Sequence, residues 1–189
     1  TTGITTDDPS CAAAVGGHLW IGGFPESGDI MGYSDLLDGT TFQAANKVDL
    51  DKVWPNGNDI LTAMAAHNNA LVVFGRRSII TYANPYSPAS MTKQDTVSNI
   101  GCISQNTVID VGRDLLFLDD TGLRALGRTI QENSMPFGDM SKNVRRDVQT
   151  SILNEADNSL IKGVYSQDNN IYILFFPTSE KAYVFDTRG

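Results

Sequence analysis

The carboxylates of this chain come in close pairs: Asp7-Asp8, Asp35 with Asp38, Asp49 with Asp51, and Asp119-Asp120. Sugar-cleaving chemistry needs two carboxyls about 5 to 9 Å apart across a ring, usually from different segments, so neighbours in sequence do not make that pair. Asp119-Asp120-Thr121-Gly122 reads instead as a hairpin turn, where Asp bonds nearby backbone and Gly supplies a positive φ. An EF-hand would need alternating oxygen ligands, a central Gly and a Glu at the twelfth position, and no stretch has that series. The Asp-rich loops are where a calcium ion would have to sit. The two histidines, His18 in a Gly-rich turn and His67 at a strand end, lie in no HExxH or other ligand spacing. Each reads as a turn or strand-end residue. Cys11 and Cys102 are far apart with no CxxC, which predicts two partly buried thiols rather than a bridge or a zinc site. There is no GxSxG elbow, no GxxxxGK[ST] phosphate loop and no Rossmann glycine pattern. No catalytic, cofactor-binding or metal residue is assigned, no cofactor is expected, and the chain is read as a non-enzyme.

The longest polar stretch follows the apolar "LWIGG": "FPESGDIMGYSDLLDGTTF", with Asp29, Asp35, Asp38, Thr40 and Thr41. Sialidase propellers carry a Ser-x-Asp-x-Gly-x-Thr-aromatic turn, and "YSDLLDGTTF" comes close to it. The spacing fails, because Ser34 stands four residues before Asp38 and Gly39 follows Asp38 directly. Asp35, Asp38, Thr40 and Thr41 are therefore expected to shape a loop between strands through side-chain to backbone bonds. Their functional alternative is a loop that projects into a channel or onto a neighbouring subunit.

Composition limits the classes further. The chain has 189 residues, 41% apolar and 19% charged, enough to bury a core. Its 17 glycines and 7 prolines are scattered rather than gathered into one linker, which predicts one turn-rich domain. The net charge is -8, and no basic cluster exceeds Arg76-Arg77 or Arg145-Arg146. A protein that clamps nucleic acid needs a basic stripe to displace counterions, so a clamp is excluded, while an acidic conduit past which DNA slides is not. No apolar run reaches the roughly 18 to 20 residues that span a bilayer, and residues 1–17 lack the pattern of a signal peptide. No membrane span is expected. The chain opens at Thr1 and stops at Gly189, three residues after "AYVFD", which suggests a piece of a longer polypeptide.

Periodicity supplies the scaffold. "DILTAMAAH", Asn68-Asn69, "ALVVF", Gly75-Arg76-Arg77 and "SIITYAN" read as three strands with two tight turns. The same unit recurs as "NTVIDV", "LLFLDD" and "LRALGR", and again as "SLIKGVYS", "IYILFF" and "KAYVFD". "CAAAV", Gly16-Gly17-His18 and "LWIGG" open a fourth instance, with the long loop inserted before its third strand. Middle strands beginning at Leu19, Leu71, Leu115 and Ile171 recur at the spacing of propeller blades, about 40 to 50 residues each. A lone meander cannot cover its apolar face, so such units must stack. The fold expected is all-β: a partial or complete β-propeller of antiparallel meander blades with one inserted short α-helix. A single domain over 1–189 would hold blade-like units at about 11–42, 59–84, 106–128 and 159–187. The helix, about 141–155, follows from Val144, Val148 and Ile152 at i, i+4, i+8, with Leu153 widening the stripe and Ser141 as N-cap. Lys142, Arg145, Arg146, Asp147 and Glu155 would lie mostly off that stripe; a basic, partner- or DNA-facing side is the sharper reading of them.

"GGHLWIGG", "YSDLLDGTTF" and "VDLDKVWPNGNDILTAMAAHNNALVVFGRRSIITY", in that order, resemble the central propeller segment of tail nozzle proteins of short-tailed bacteriophages. These are also called tail tubular protein B and are related to packaged-DNA stabilisation proteins. Ile60, Leu61, Ala63, Leu71, Val72, Val73, Phe74, Ser78, Ile79 and Ile80 match one family phrase. Gly101, Cys102, Gly112, Phe117, Leu118, Gly122 and Leu126 in "NIGCISQNTVIDVGRDLLFLDDTGLRALGR" match the next, and "MSKNVRRDVQ" a short helix after it. The resemblance implies a structural part of the virion tail: a homo-hexameric ring below portal and adaptor proteins. Genomic DNA would pass through it without specific binding, and it would help retain packaged DNA. Family members are normally much longer, so the chain would be a segment of one. The alternatives are a receptor- or glycan-binding propeller, with Trp20, Trp54, Tyr82 and Tyr86 as its candidate surface aromatics, and a propeller glycosidase.

Overall fold

The fold is that of a computed structural model, which describes residues 8–132 and 140–188. Asp7, and with it the pair Asp7-Asp8, lies outside them. The described residues are mostly β, with fourteen strands in four antiparallel sheets and few helices. The chain divides into two compact units, 1–101 and 102–189.

In the first unit, β1 (Cys11–Val15), β2 (His18–Phe24), β3 (Ser27–Tyr33) and β4 (Lys47–Asp49) form one meander in sequence order. β5 (Leu61–His67), β6 (Ala70–Gly75), β7 (Ser78–Ala83) and β8 (Thr92–Ser98) form a second. Two of their turns are the tight, positive-φ type that matches the twist of antiparallel strands. Gly16-Gly17 (φ 65° and 78°) joins Val15 to its partner His18, and Asn68-Asn69 (φ 48° and 60°) joins His67 to Ala70. The sheets pack through β1 and β2 against β5. Trp20, Met31, Leu50, Trp54, Leu61, Met64, Leu71, Val73, Ile80 and Tyr82 belong to their common core. Each such side chain contributes about 1.5–3 kcal/mol of burial, which holds thin sheets together. All six residues of β6 are buried, as expected for a middle strand that is apolar on both faces.

The fourth strand of each sheet, β4 and β8, has no counterpart in the units expected from the sequence. β8 is "TKQDTVS", mostly polar, with Val97 its one fully buried residue, so its pattern carries no clear period. The long loop is also placed differently. β3 follows β2 after Pro25-Glu26 and contains Asp29, and the loop, residues 34–46, joins β3 to β4. "SGDIMGY" looks like a turn because of Asp29 and its two glycines, yet Met31 is wholly buried and Trp20 pairs with Tyr33. Tertiary burial overrides local propensity there.

In the second unit, β9 (Ile109–Asp110), β10 (Leu115–Asp119) and β11 (Gly122–Ala125) form a three-stranded sheet, and β12 (Lys162–Ser166), β13 (Ile171–Phe176) and β14 (Lys181–Asp186) another. "LRALGR" is only partly strand: after Ala125 it turns into a short helix, α1 (Leu126–Glu132). The expected helix is present as α2 (Arg145–Asn154), and its Val148 and Ile152 join Leu116, Leu118, Leu123, Leu174 and Phe185 in the core. Three details differ. The N-cap is Val144 with no side-chain cap, because Ser141 is buried and its Oγ accepts the Leu123 N–H at 3.1 Å. Leu153 is exposed, since it falls past the edge of the Val148–Ile152 stripe. Glu155 is buried rather than solvent-facing.

Candidate functional site

The turn between β6 and β7 is built unlike the two tight turns of its unit. Arg76 and Arg77 have negative φ, so the reversal does not rest on left-handed residues. It rests on Asp59, just ahead of β5. Its Oδ1 accepts the backbone N–H of Arg76 at 2.9 Å and of Ile60 at 2.8 Å, and its Oδ2 accepts that of Arg77 at 2.9 Å. The Arg76 N–H also reaches the Ile60 carbonyl at 3.0 Å. Only glycine fits at 75, because a Cβ there would meet the Asp59 carboxylate and stand 3.1 Å from the Trp54 ring. Below this turn the buried Trp54 indole N–H has no hydrogen-bond partner.

A cleft of about 470 Å³ opens at this turn, lined by Asn56, Asn58, Asp59, Ile60, Arg76, Arg77 and Asn99. Three separate segments converge on it: the loop before β5, the β6–β7 turn, and the residue after β8, where Asn99 has φ 65°. Arg77, Asn56, Asn58 and Asn99 are exposed and Arg76 half-buried. The lining offers two guanidiniums and three carboxamides against one carboxylate, whose oxygens face the turn's own N–H groups. Such a donor-rich hollow suits an oxyanion. The sequence showed the arginine doublet and its turn, but not Asp59 or the asparagines, which come from positions up to 43 residues apart (56 to 99).

The loop over residues 34–46 is held by its own polar side chains, with the expected side-chain to backbone bond at Asp38 but side-chain to side-chain bonds at Asp35. Asp38 Oδ1 accepts the Thr40 N–H at 2.9 Å and the Thr40 hydroxyl at 2.7 Å. The Thr40 hydroxyl, then its N–H, with help from Thr41, hold the Asp38 carboxyl down to about 2. Asp35 accepts from Gln43 Nε2 at 2.8 Å and Asn46 Nδ2 at 2.9 Å. Asp35 and Asp38 thus each close part of the loop. Ser34 is buried, and its Oγ accepts the Leu19 N–H at 2.9 Å. At the tip Leu36 and Leu37 are exposed, Leu37 with φ 58°.

His18 opens β2 and is buried: its Nδ1 donates to the Ser34 carbonyl at 2.7 Å, and its ring stands edge-on to Tyr33. The Nε2 of His67 lies 3.0 Å from Asn68 Nδ2 at the strand end. Asp51 N–H donates to Asp49 Oδ1 at 3.0 Å, a local turn bond. Asp119 accepts from the Thr121 N–H and hydroxyl across the hairpin and pairs with buried Arg124 at 3.1 Å. Arg124 Nη2 donates to Thr121 Oγ1 at 2.8 Å, while its Nη1 is buried without a partner. Neither cysteine is in a disulfide and both are buried. Burial pushes the Cys102 thiol up to about 11, so it is protonated at neutral pH.

Of the four aromatics that a glycan-binding surface would use, Trp20, Trp54 and Tyr82 are core residues and Tyr86 alone is exposed. Among the described residues no group of three or more His, Cys, Asp or Glu side chains could hold a metal ion, and no helix is long and apolar enough to cross a membrane. No protein-family model matches the sequence, and no curated protein does so.

Proposed function

We propose that this chain is a non-catalytic propeller segment of a tail nozzle protein of a short-tailed bacteriophage. In that role it contributes to a homo-hexameric ring that contacts portal and adaptor proteins in the virion. It lines part of the DNA exit channel and helps retain packaged DNA. The observation that carries the reading is the order of its parts. The family phrases fall, one after another, on the first three antiparallel meanders, and "MSKNVRRDVQ" runs into α2. A net charge of -8 suits a wall that DNA slides past rather than one it sticks to. The paired acids support a structural role as well: Asp35, Asp38 and Asp119 spend their oxygens on loops and turns of their own neighbourhood.

Native mass spectrometry and negative-stain imaging of the longest natural polypeptide containing this segment test the proposal. A sixfold ring is the expected result. A strict monomer that binds or hydrolyses glycans on an array would replace it with the glycan-binding or glycosidase alternative.

A further inference from the structure

We propose that the cleft at the β6–β7 turn is a binding site for a phosphate monoester carried on a small polar molecule. Three features of the cleft lead there. The first is donor type. Arg76 and Arg77 are adjacent forks that match phosphate oxygens, and Asn56, Asn58 and Asn99 bring carboxamides from two other segments. Donors arriving from three segments suit the three terminal oxygens of a tetrahedral group better than the two of a planar carboxylate.

The second feature is how the turn is anchored. The backbone N–H groups of Arg76 and Arg77 are spent on Asp59, so the turn is fixed through its main chain. A preformed turn spares part of the ordering cost of binding. The carboxylate that would repel an anion turns its oxygens to these N–H groups, and Asp59 is itself buried. The third feature is size. A cleft of about 470 Å³ is larger than a bare phosphate and falls within the range of small-molecule sites, about 300 to 1,000 Å³. Exposed Ile60 supplies an apolar wall for the body of the ligand. Nucleic acid is disfavoured, because a lone arginine doublet in a chain of net charge -8 forms no stripe along which a phosphate backbone could run. The proposal stands whether or not the chain assembles into a ring.

Isothermal titration of the full chain with glucose 6-phosphate, glucuronate and glucose tests it. The phosphate ester should bind at least ten-fold more tightly than glucuronate, and glucose should give no measurable heat. Arg77→Ala, at an exposed position, should keep the melting temperature and weaken the ester at least ten-fold. Arg77→Lys should recover part of the loss, and Arg113→Ala, an exposed arginine of the other unit, should change nothing. Equal binding of ester and glucuronate, equal loss in Arg77→Ala and Arg113→Ala, or no binding of the ester at millimolar concentration would each overturn the assignment.

Discussion

Two turns of this molecule are tied by a carboxylate that comes from outside their own hairpin, one in each unit. In the first, Asp59 accepts three backbone N–H groups and fixes the reversal between β6 and β7. In the second, Glu155, just past α2, accepts the N–H of Thr178 at 3.1 Å and of Ser179 at 3.2 Å and fixes the reversal between β13 and β14. The device is the same and the outcome differs. The turn over Asp59 carries two arginines, and asparagines from two other segments stand beside it, so a donor-lined cleft forms. The turn over Glu155 carries Thr178 and Ser179. A carboxylate brace therefore creates a rigid turn, and what the turn can bind depends on the side chains that flank it.

Removing the braces should show their unequal weight. Asp59→Ala removes the carboxylate from three N–H groups, leaving that of Arg76 only the Ile60 carbonyl, and opens space beside Gly75 and Trp54. We expect a loss of about 2–4 kcal/mol in urea unfolding, more than for any other substitution in either brace. A loss no greater than that of an exposed control such as Asp168→Ala would break the comparison. Glu155→Ala removes an acceptor from two N–H groups and should cost about 1–2 kcal/mol in the same measurement.

Acid titration separates the Glu155 brace from the rest of the fold. Burial raises the Glu155 carboxyl, but the bonds from Thr178 and Ser179 outweigh it and leave the group below its ordinary value. A carboxyl depressed in the folded state stabilises above its unfolded value, near 4.5, and that contribution drains away as pH falls through the folded value. Wild type should therefore lose more stability than Glu155→Gln between neutral pH and about pH 3, read as melting temperature against pH. Parallel profiles would show that the brace does not depend on charge.

The smallest effect should come from a loop that uses neither device. Leu37 holds φ 58° at an exposed tip, a conformation that asparagine tolerates better than leucine. Leu37→Asn should raise stability by a few tenths of a kcal/mol, up to about 1, seen as a small rise in melting temperature. A fall would mean that the exposed leucine already has a packing role.

Much of the scaffold was legible. The middle strands read at Leu19, Leu71, Leu115 and Ile171 lie in β2, β6, β10 and β13, because continuous apolar runs between Gly or Asn turns leave few other ways to bury themselves. Asn68-Asn69 and Asp120-Thr121 mark turns by their own chemistry, and α2 follows the spacing of Val148 and Ile152. β4 and β8 give no periodic signal because polar outer strands acquire their state from the neighbour they pair with. Ser141 and Glu155 depart from their expected places for a related reason, since each accepts hydrogen bonds from a distant backbone rather than from its own helix.

The sequence by itself determined the mostly β character, the short turns and the absence of any basic stripe, since composition and period act over a few residues at a time. Only the tertiary structure decided which carboxylate would brace which turn and which side chains would surround a cleft. Asp59, Arg77 and Asn99 become neighbours through strand pairing, and pairing is settled by the burial of whole sheets, a quantity that no short window of sequence contains.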